Sequence, residues 1–258
     1  MLPVDSHAHL YDAMYAGQTE NVISSALGRV GFIICPSEDR KTSEQSVQIA
    51  SGESRIFAAV GIHPLHTEHV SGEDWKQILS LAHHSPKVVA LGETGLDFFS
   101  KNCDRELQKY WFSRHIQAAG ELHLPLIIHD RKAHGEILSL LQKQAHGVVS
   151  GVIHGYSGSL ETAKALINTG FYISFGGSIT YPGSRRIRQV ASTLPLDRIL
   201  IETDSPYQAP FEKHGELNVP ENVWYVAQAL AKLKQMPVSE VIETTGHNAA
   251  QLFGISRS

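Results

Sequence analysis

The chain has 258 residues, of which 42% are hydrophobic and 19% are charged, and its formal net charge is -4. This composition excludes disordered, collagen-like and heptad-dominated proteins, and the acidic balance excludes a surface coated with basic residues for generic binding of nucleic acid or membranes. The length is sufficient for one compact soluble domain with a substantial core.

The cysteines and the amino terminus indicate a reducing compartment. Cys35 and Cys103 form neither a CxxC pair nor a secretory pattern, so we expect both to be packing residues. The first residues, MLPVDSHAHLYD, place carboxylates and imidazoles where a signal peptide needs an apolar core. No apolar run of about 18 residues follows. These features predict a cytoplasmic protein without a membrane segment.

Short apolar runs rich in Val, Ile and Phe alternate along the chain with stretches of helical spacing, such as 103–123. This alternation predicts a (β/α)8 TIM-like barrel rather than a doubly wound sheet. No linker or repeat divides the chain, so we expect residues 1–258 to form a single domain. The predicted strands are 2–7, 30–35, 56–61, 87–92, 125–130, 147–154, 171–175 and 198–203.

Histidines and carboxylates stand where the predicted strands end, which is the edge at which barrel enzymes build their active sites. His7 and His9 are two residues apart, so an extended backbone presents both imidazoles on one face. An HxH pair alone is weak evidence for a metal, and buried core histidines are the alternative. Six nitrogen and oxygen ligands are too many for one ion and suit two. The predicted ligands are His7, His9 and Asp204 for one ion, His129 and His154 for the other, and Glu93 as a bridge.

The motifs DSHAHL, GIHP, GETGLD, PLIIHDR, VIHGYSGS and ETDSPYQAP occur in this order. Together they resemble the TatD-related metal-dependent deoxyribonucleases of the amidohydrolase superfamily, from His7 to about Phe253. The segment ISFGGSITYPGS further resembles the YjjV-type branch. The resemblance implies a TIM-like barrel, two divalent ions and hydrolysis of DNA phosphodiesters, and its ligand positions coincide with the six residues above. Two departures are LNVP at 217–220, where the family often has Arg-Asn-Glu-Pro, and Gln251 in place of an arginine. The first leaves the substrate range open.

Further residues are candidates for catalysis and substrate binding. Asp204 is the predicted proton acceptor, because a carboxylate beside a cation stays ionised, and Glu93 shares the catalytic centre. His63 and Arg131 are predicted to contact a substrate phosphate, against structural or solvated alternatives. Glu202 is either a buried partner of a ligand or a plain strand-end carboxylate. Arg185, Arg186 and Arg188 form either an anion-facing strip or a solvated helix face.

The predicted function is hydrolysis of DNA by water activated between two divalent ions, whose identity stays open among zinc, manganese, magnesium and iron. Few cations near the site predict weak, salt-tolerant binding of a single-stranded or frayed DNA end and exonucleolytic cleavage. The alternative is an amide or ester hydrolase, including removal of an aminoacyl group from tRNA, because the same nucleophile attacks a carbonyl. A non-catalytic metal-stabilised scaffold is a third hypothesis. No obligate protein partner is implied.

Overall fold

The computed structural model describes residues 1–101, 103–145 and 147–256, in which strands and helices alternate. Seven strands of the described chain form one parallel sheet, and their order in the sheet is their order in the sequence. The strands are β1 (Ile33–Cys35), β2 (Ile56–Val60), β3 (Val88–Asp97), β4 (Leu126–Arg131), β5 (Gly151–Ile153), β6 (Phe171–Phe175) and β7 (Ile199–Ile201).

Helices connect successive strands, which is the connection that parallel neighbours require. Side chains define several helix starts: Asp39 and Ser71 each accept a hydrogen bond from the third residue of the helix they precede, and Asp104 caps another. The α-helices of the described ranges are α1 (Thr19–Leu27), α2 (Arg40–Gly52), α3 (Gly72–His84), α4 (Arg105–Leu122), α5 (His134–Gln144), α6 (Leu160–Asn168), α7 (Arg185–Thr193), α8 (Val223–Lys234) and α9 (Val238–Phe253). Short 3-10 turns lie at Ala13–Tyr15, Pro64–His69, Gly177–Thr180, Leu196–Arg198, Phe211–Lys213 and Pro220–Asn222.

The first predicted strand, 2–7, differs from the prediction. In place of a regular strand, residues Asp5 to His9, which we call the bridging segment, make two isolated bridges, Asp5 with Ile33 and Ala8 with Ser205. The Asp5 side chain interrupts the ladder, because its Oδ1 accepts from the backbone N–H groups of both His7 and Thr203. Seven predicted strands are therefore confirmed, and the eighth is a bridging segment between the first and last strands of the sheet.

Strand β3 extends further than the sequence pattern predicts. The pattern predicts an end at residue 92, whereas the strand continues to Asp97, so Glu93 lies within the strand. Its pairing with β4 shifts register between Leu91 and Thr94, and from there Gly95 pairs with His129. A Cβ at Gly95 would lie 2.1 Å from the His129 carbonyl oxygen, so only glycine permits this approach.

The two faces of the sheet pack into separate hydrophobic clusters. The larger cluster lies between the strands and the surrounding helices, and it contains residues such as Ile33, Ile56 and Leu126. The smaller one takes one side chain from each strand together with the end of α9. Its strand members are Ile34, Ala59, Ala90, Ile127, Val152, Tyr172 and Leu200. Burial of both faces is the pattern of a parallel sheet covered by helices.

None of the helices in the described ranges combines the length and the apolar character that a membrane crossing needs.

Candidate metal centre

The carboxyl ends of the strands bring all six predicted ligands into one place. The bridging segment supplies two of them, and β3 and β4 supply one each. His154 directly follows β5, and Asp204 lies three residues after the end of β7. In chain order the converging side chains are His7, His9, Glu93, His129, His154 and Asp204, with His63 from the end of β2 beside them.

Four atoms form a first group, which we call cluster A: Nε2 of His7, Nε2 of His9, Oδ1 of Asp204 and Oε2 of Glu93. His7 Nε2 lies 3.2 Å from both His9 Nε2 and Glu93 Oε2, and 3.6 Å from Asp204 Oδ1. His9 Nε2 lies 3.4 Å from Asp204 Oδ1 and 3.7 Å from Glu93 Oε2. Side chains separated by almost 200 residues of chain therefore face a common centre.

The second group, cluster B, consists of Oε1 of Glu93, Nδ1 of His129, Nε2 of His154 and Nε2 of His63. Glu93 Oε1 lies 2.8 Å from His129 Nδ1, 2.8 Å from His154 Nε2 and 3.5 Å from His63 Nε2. The two oxygens of Glu93 thus face different clusters. This is the geometry that a bridging carboxylate needs.

The spacing within the clusters fits a cation. Around an ion with ligand distances of about 2.1 Å, neighbouring ligand atoms lie about 3.0 Å apart in octahedral and about 3.4 Å in tetrahedral coordination. The contacts of His7 in cluster A, 3.2 Å and 3.6 Å, fall close to that spacing. His7, His9 and Asp204 form one candidate group of metal ligands, and His63, Glu93 and His129 form another. Imidazole and carboxylate donors together suit zinc, manganese or iron, and magnesium with retained waters.

The carboxylates of the site are ionised. Burial alone would raise the pKa of Glu93, but the positive charge on His154 and the hydrogen bond from His129 lower it well below its usual range. Burial likewise opposes ionisation of Asp204, and the contact with His9 lowers the pKa of this carboxyl to about 2. Both groups are therefore anions near neutral pH.

A layer of further side chains orients the ligands. Asp97 Oδ2 lies 3.1 Å from His129 Nε2, which leaves Nδ1 of that ring facing Glu93. Glu202 Oε1 accepts a 2.6 Å hydrogen bond from Gly155 N and lies 3.5 Å from His154 Nδ1. The position of Glu202 matches the interpretation as a partner of a ligand.

The loop that carries Asp204 is held from two sides. Gln208 donates from Nε2 to Oδ2 of Asp204, so Oδ1 is the oxygen left for cluster A. The Asp204 backbone is left-handed, with φ of 54°, and its N–H donates to the carbonyl of His7. Asn218, within the LNVP segment, donates from Nδ2 to the carbonyls of Thr203 and Tyr207. The departure at 217–220 thus retains the side chain that ties down this loop.

Sequence reasoning missed the roles of Asp97 and Gln208. Asp97 stands in the motif GETGLD two residues after a glycine that faces β4, and its alternation with Gly95 and Glu93 along one strand was the available signal. Nothing in the sequence pattern marks Gln208, whose left-handed backbone, with φ of 48°, brings its side chain back to Asp204.

The two predicted substrate contacts lie in different surroundings. His63 is buried, its Nε2 is 3.2 Å from His129 Nδ1, and burial lowers its pKa to about 4. It is therefore placed among the candidate ligands, and its contact with a phosphate stays a prediction. Arg131 is exposed, and its guanidinium lies over the ring of Phe99, 4.3 Å from the ring centroid.

The arginines after the glycine-rich loop divide between the two interpretations. Arg186 donates to the carbonyl of Ser157 and Arg188 to the carbonyl of Ile179. Two of the three side chains therefore hydrogen-bond to neighbouring loops, and both Arg185 and Arg186 are exposed.

Both clusters open into a cavity of about 470 Å³. Its wall includes Glu38, Arg131, Ser157, Tyr207 and Gln208 in addition to candidate ligands. Of the described residues that line it, Arg131 is the one with a permanent positive charge. The cavity is thus anionic at its base, where cations would bind, and carries a guanidinium at its rim.

Comparisons with known proteins agree with these features. A family model described as TatD related DNase matches residues 4–254. YabD of Bacillus subtilis, named an uncharacterized metal-dependent hydrolase, is 36% identical, with 98% of this chain and 99% of YabD aligned. YcfH of Escherichia coli K12, named in the same way, is 34% identical, with 100% of this chain and 98% of YcfH aligned. The crystal structure of YjjV, a TatD homologue of Escherichia coli K12, superposes with a TM-score of 0.92 at 31% identity over 98% of each chain.

Proposed function

The chain belongs to the TatD-related DNase family, and from this premise we propose that it is a divalent-metal-dependent deoxyribonuclease that hydrolyses DNA phosphodiesters. The names of YabD and YcfH support metal-dependent hydrolysis. The family description supports DNA as the substrate. The observation that carries the proposal is Glu93, whose two carboxylate oxygens face two separate groups of imidazole and carboxylate ligands.

We propose that clusters A and B each hold one divalent ion, with zinc, manganese and magnesium as the candidates. The ligands are His7, His9 and Asp204 in cluster A, His129 and His154 in cluster B, and Glu93 in both. When bound, such ions lower the pKa of water and polarise a phosphoryl oxygen.

Asp204 is the proposed proton acceptor. Its Oδ2 is occupied by Gln208, and Oδ1 faces the position where the nucleophile would be generated. The attacking water would lose a proton to the Asp204 carboxylate, its oxygen would form a bond to phosphorus, and the bond from phosphorus to the leaving oxygen would break. The proton then passes to the leaving oxygen. His63 and Arg131 are proposed to contact the substrate phosphate.

We further propose that the substrate is the end of a single strand or a frayed duplex, cleaved exonucleolytically. The supporting observation is the charge of the cavity, in which a single guanidinium stands beside carboxylates. A long polyanion needs many cations along its path, whereas a terminal nucleotide needs few.

For the architecture we propose a closed (β/α)8 barrel in one domain over residues 1–258. Hydrogen bonds from the bridging segment to both edges of the sheet, Ser6 N to Ile201 O and Ala8 N to Ile34 O, support closure. A cytoplasmic location is proposed from the free thiols of Cys35 and Cys103.

The test is a substrate panel with metal-reconstituted protein. Single-stranded DNA, double-stranded DNA, RNA and aminoacyl-tRNA are incubated side by side with magnesium, manganese or zinc. Asp204→Asn purified in parallel excludes a contaminating nuclease. We expect metal-dependent cleavage of linear single-stranded DNA that Asp204→Asn lacks. Cleavage of circular DNA at the same rate would replace the exonuclease with an endonuclease. Hydrolysis of aminoacyl esters or amides without cleavage of any polynucleotide would establish the alternative hydrolase.

A further inference from the structure

Two consecutive phenylalanines, Phe98 and Phe99, follow β3, and the second contacts Arg131, which lines the cavity. Phe98 is partly buried, and the guanidinium of Arg105 lies 4.6 Å from its ring centroid. Phe99 is 58% exposed, and the guanidinium of Arg131 lies 4.3 Å from its ring centroid. Each ring therefore carries a stacked cation, but only Phe99 is largely open to solvent.

The Phe99 loop is tied to the metal centre through one carboxylate. Oδ1 of Asp97 accepts hydrogen bonds from the backbone N–H groups of Phe99, at 3.0 Å, and Ser100, at 2.9 Å. Oδ2 of the same side chain contacts His129 Nε2 at 3.1 Å. The backbone that carries the exposed ring is therefore anchored to the same carboxylate that contacts cluster B.

An exposed aromatic ring beside a guanidinium suits one class of ligand. A nucleobase stacks on aromatic rings and on guanidinium planes, and every base offers such a face. The phosphate that follows the base is an anion, for which the Arg131 guanidinium supplies paired donors. Arg131 lines the cavity over the clusters, so a nucleotide bound to this pair lies next to the candidate metal centre.

We propose that Phe99 and Arg131 form a stacking platform for an unpaired nucleobase next to the bond that is cleaved. This inference rests on the proposed function and assigns the platform as the feature that selects single-stranded ends. Bases within a duplex are already stacked on their neighbours and are not available to the ring. The platform therefore favours a strand end whose bases are free.

The experiment measures binding apart from cleavage. A short, fluorescently labelled, phosphorothioate oligodeoxynucleotide that resists hydrolysis is titrated with metal-loaded protein and followed by anisotropy. Phe99→Leu removes the aromatic face, Phe99→Trp retains it, and Tyr110→Leu is the matched control because Tyr110 is 52% exposed on α4. An oligodeoxynucleotide of the same length without bases serves as the second probe.

We expect Phe99→Leu to weaken binding of the normal oligodeoxynucleotide about fivefold or more, as loss of one stacked base requires. Phe99→Trp and Tyr110→Leu should stay within about twofold of the original protein. The probe without bases should bind the original protein and Phe99→Leu equally.

The platform is overturned if Phe99→Leu binds the normal probe as tightly as the original protein does. It is also overturned if Phe99→Leu loses affinity equally for the probe with bases and the probe without them. If the original protein cleaves DNA in either case, the proposed function stands without the platform. If the original protein neither binds nor cleaves any polynucleotide, the proposed function fails and the platform fails with it.

Discussion

Nε2 of His129 lies 3.1 Å from Oδ2 of Asp97, and Nδ1 of the same ring lies 2.8 Å from Oε1 of Glu93. The outer carboxylate therefore determines which nitrogen of the imidazole faces cluster B. Burial opposes ionisation of Asp97, but the hydrogen bond from His129 lowers its pKa to about 2. An ionised partner on the outer nitrogen fixes the tautomer of a ligand histidine and raises its basicity.

Asp97→Asn should consequently weaken metal binding about 10- to 100-fold. The substituted amide keeps the oxygen that accepts from Phe99 N, so the loop is retained while the charge beside His129 is lost. Competition with a chromogenic chelator measures the affinity. Asp130→Asn is the control, because Asp130 pairs with His134 at 2.7 Å, whereas Asp97 contacts the predicted ligand His129. Equal affinity losses in both variants would contradict the role of Asp97.

Glu93→Ala should remove more bound metal than replacement of any single ligand histidine. Glu93 is the carboxylate that contacts both clusters, with Oε2 3.2 Å from His7 and Oε1 2.8 Å from His154. Elemental analysis after dialysis measures the content, and His9→Ala gives the comparison for loss of a ligand to one cluster. Two equivalents of metal retained by Glu93→Ala would eliminate the bridging role.

Asp204→Asn should lower the turnover number far more than the metal content. The amide keeps an oxygen ligand but cannot take up the proton, and general base catalysis contributes about 10²- to 10⁴-fold to the rate. Single-turnover kinetics on a linear DNA substrate, combined with elemental analysis, separate the two effects. Near-normal turnover at full metal occupancy would assign the base elsewhere.

His115 should make the fold sensitive to acid. Its Nε2 accepts from Ile62 N at 3.1 Å and its Nδ1 donates to Trp111 O at 2.7 Å, so the folded state holds the neutral ring. Burial lowers the pKa of His115 to about 4. The unfolded chain binds the proton near pH 6.5, so stability is full above that pH and falls as the pH drops toward about 4.

The largest decrease in the free energy of unfolding that protonation of His115 can cause is about 3 kcal/mol. Urea unfolding at pH 4.5, 5.5 and 7 gives the free energy of unfolding of the original protein and of His115→Gln, and the two should differ in their dependence on pH. Glutamine is chosen because it can still accept from Ile62 N but does not titrate. Parallel pH profiles of the two proteins would show that His115 does not contribute.

The convergence of the six predicted ligands could be predicted because parallel strands present their carboxyl ends at one edge of a sheet. Chain order alone brings Glu93, His129 and His154 to neighbouring strands, and the His7–His9 spacing brings two imidazoles to one face. Strand periodicity and strand order are sufficient to predict that these side chains meet.

The orientation of individual side chains could not be predicted in this way. Which nitrogen of His129 faces Glu93 depends on Asp97, and the position of His63 beside that ring depends on how the end of β2 packs. The interruption of the first predicted strand depends on Asp5, whose carboxylate occupies backbone donors that a regular ladder would use. These orientations depend on side-chain hydrogen bonds between segments that are distant in the sequence, so local sequence patterns do not predict them.

The bridging segment also determines when cluster A can form during synthesis of the chain. It holds His7 and His9, yet Ser6 donates to Ile201, Asp204 donates to His7, and His9 donates to Ser205. During synthesis, His7 and His9 therefore leave the ribosome long before their hydrogen-bond partners Asp204 and Ser205, which follow β7, the last strand of the described sheet. Contacts of such long sequence separation form late, because the loop they close is costly in entropy. Cluster A can therefore form only after Asp204 has been synthesised. A chain that stops before Asp204 contains His7 and His9 but cannot complete the cluster.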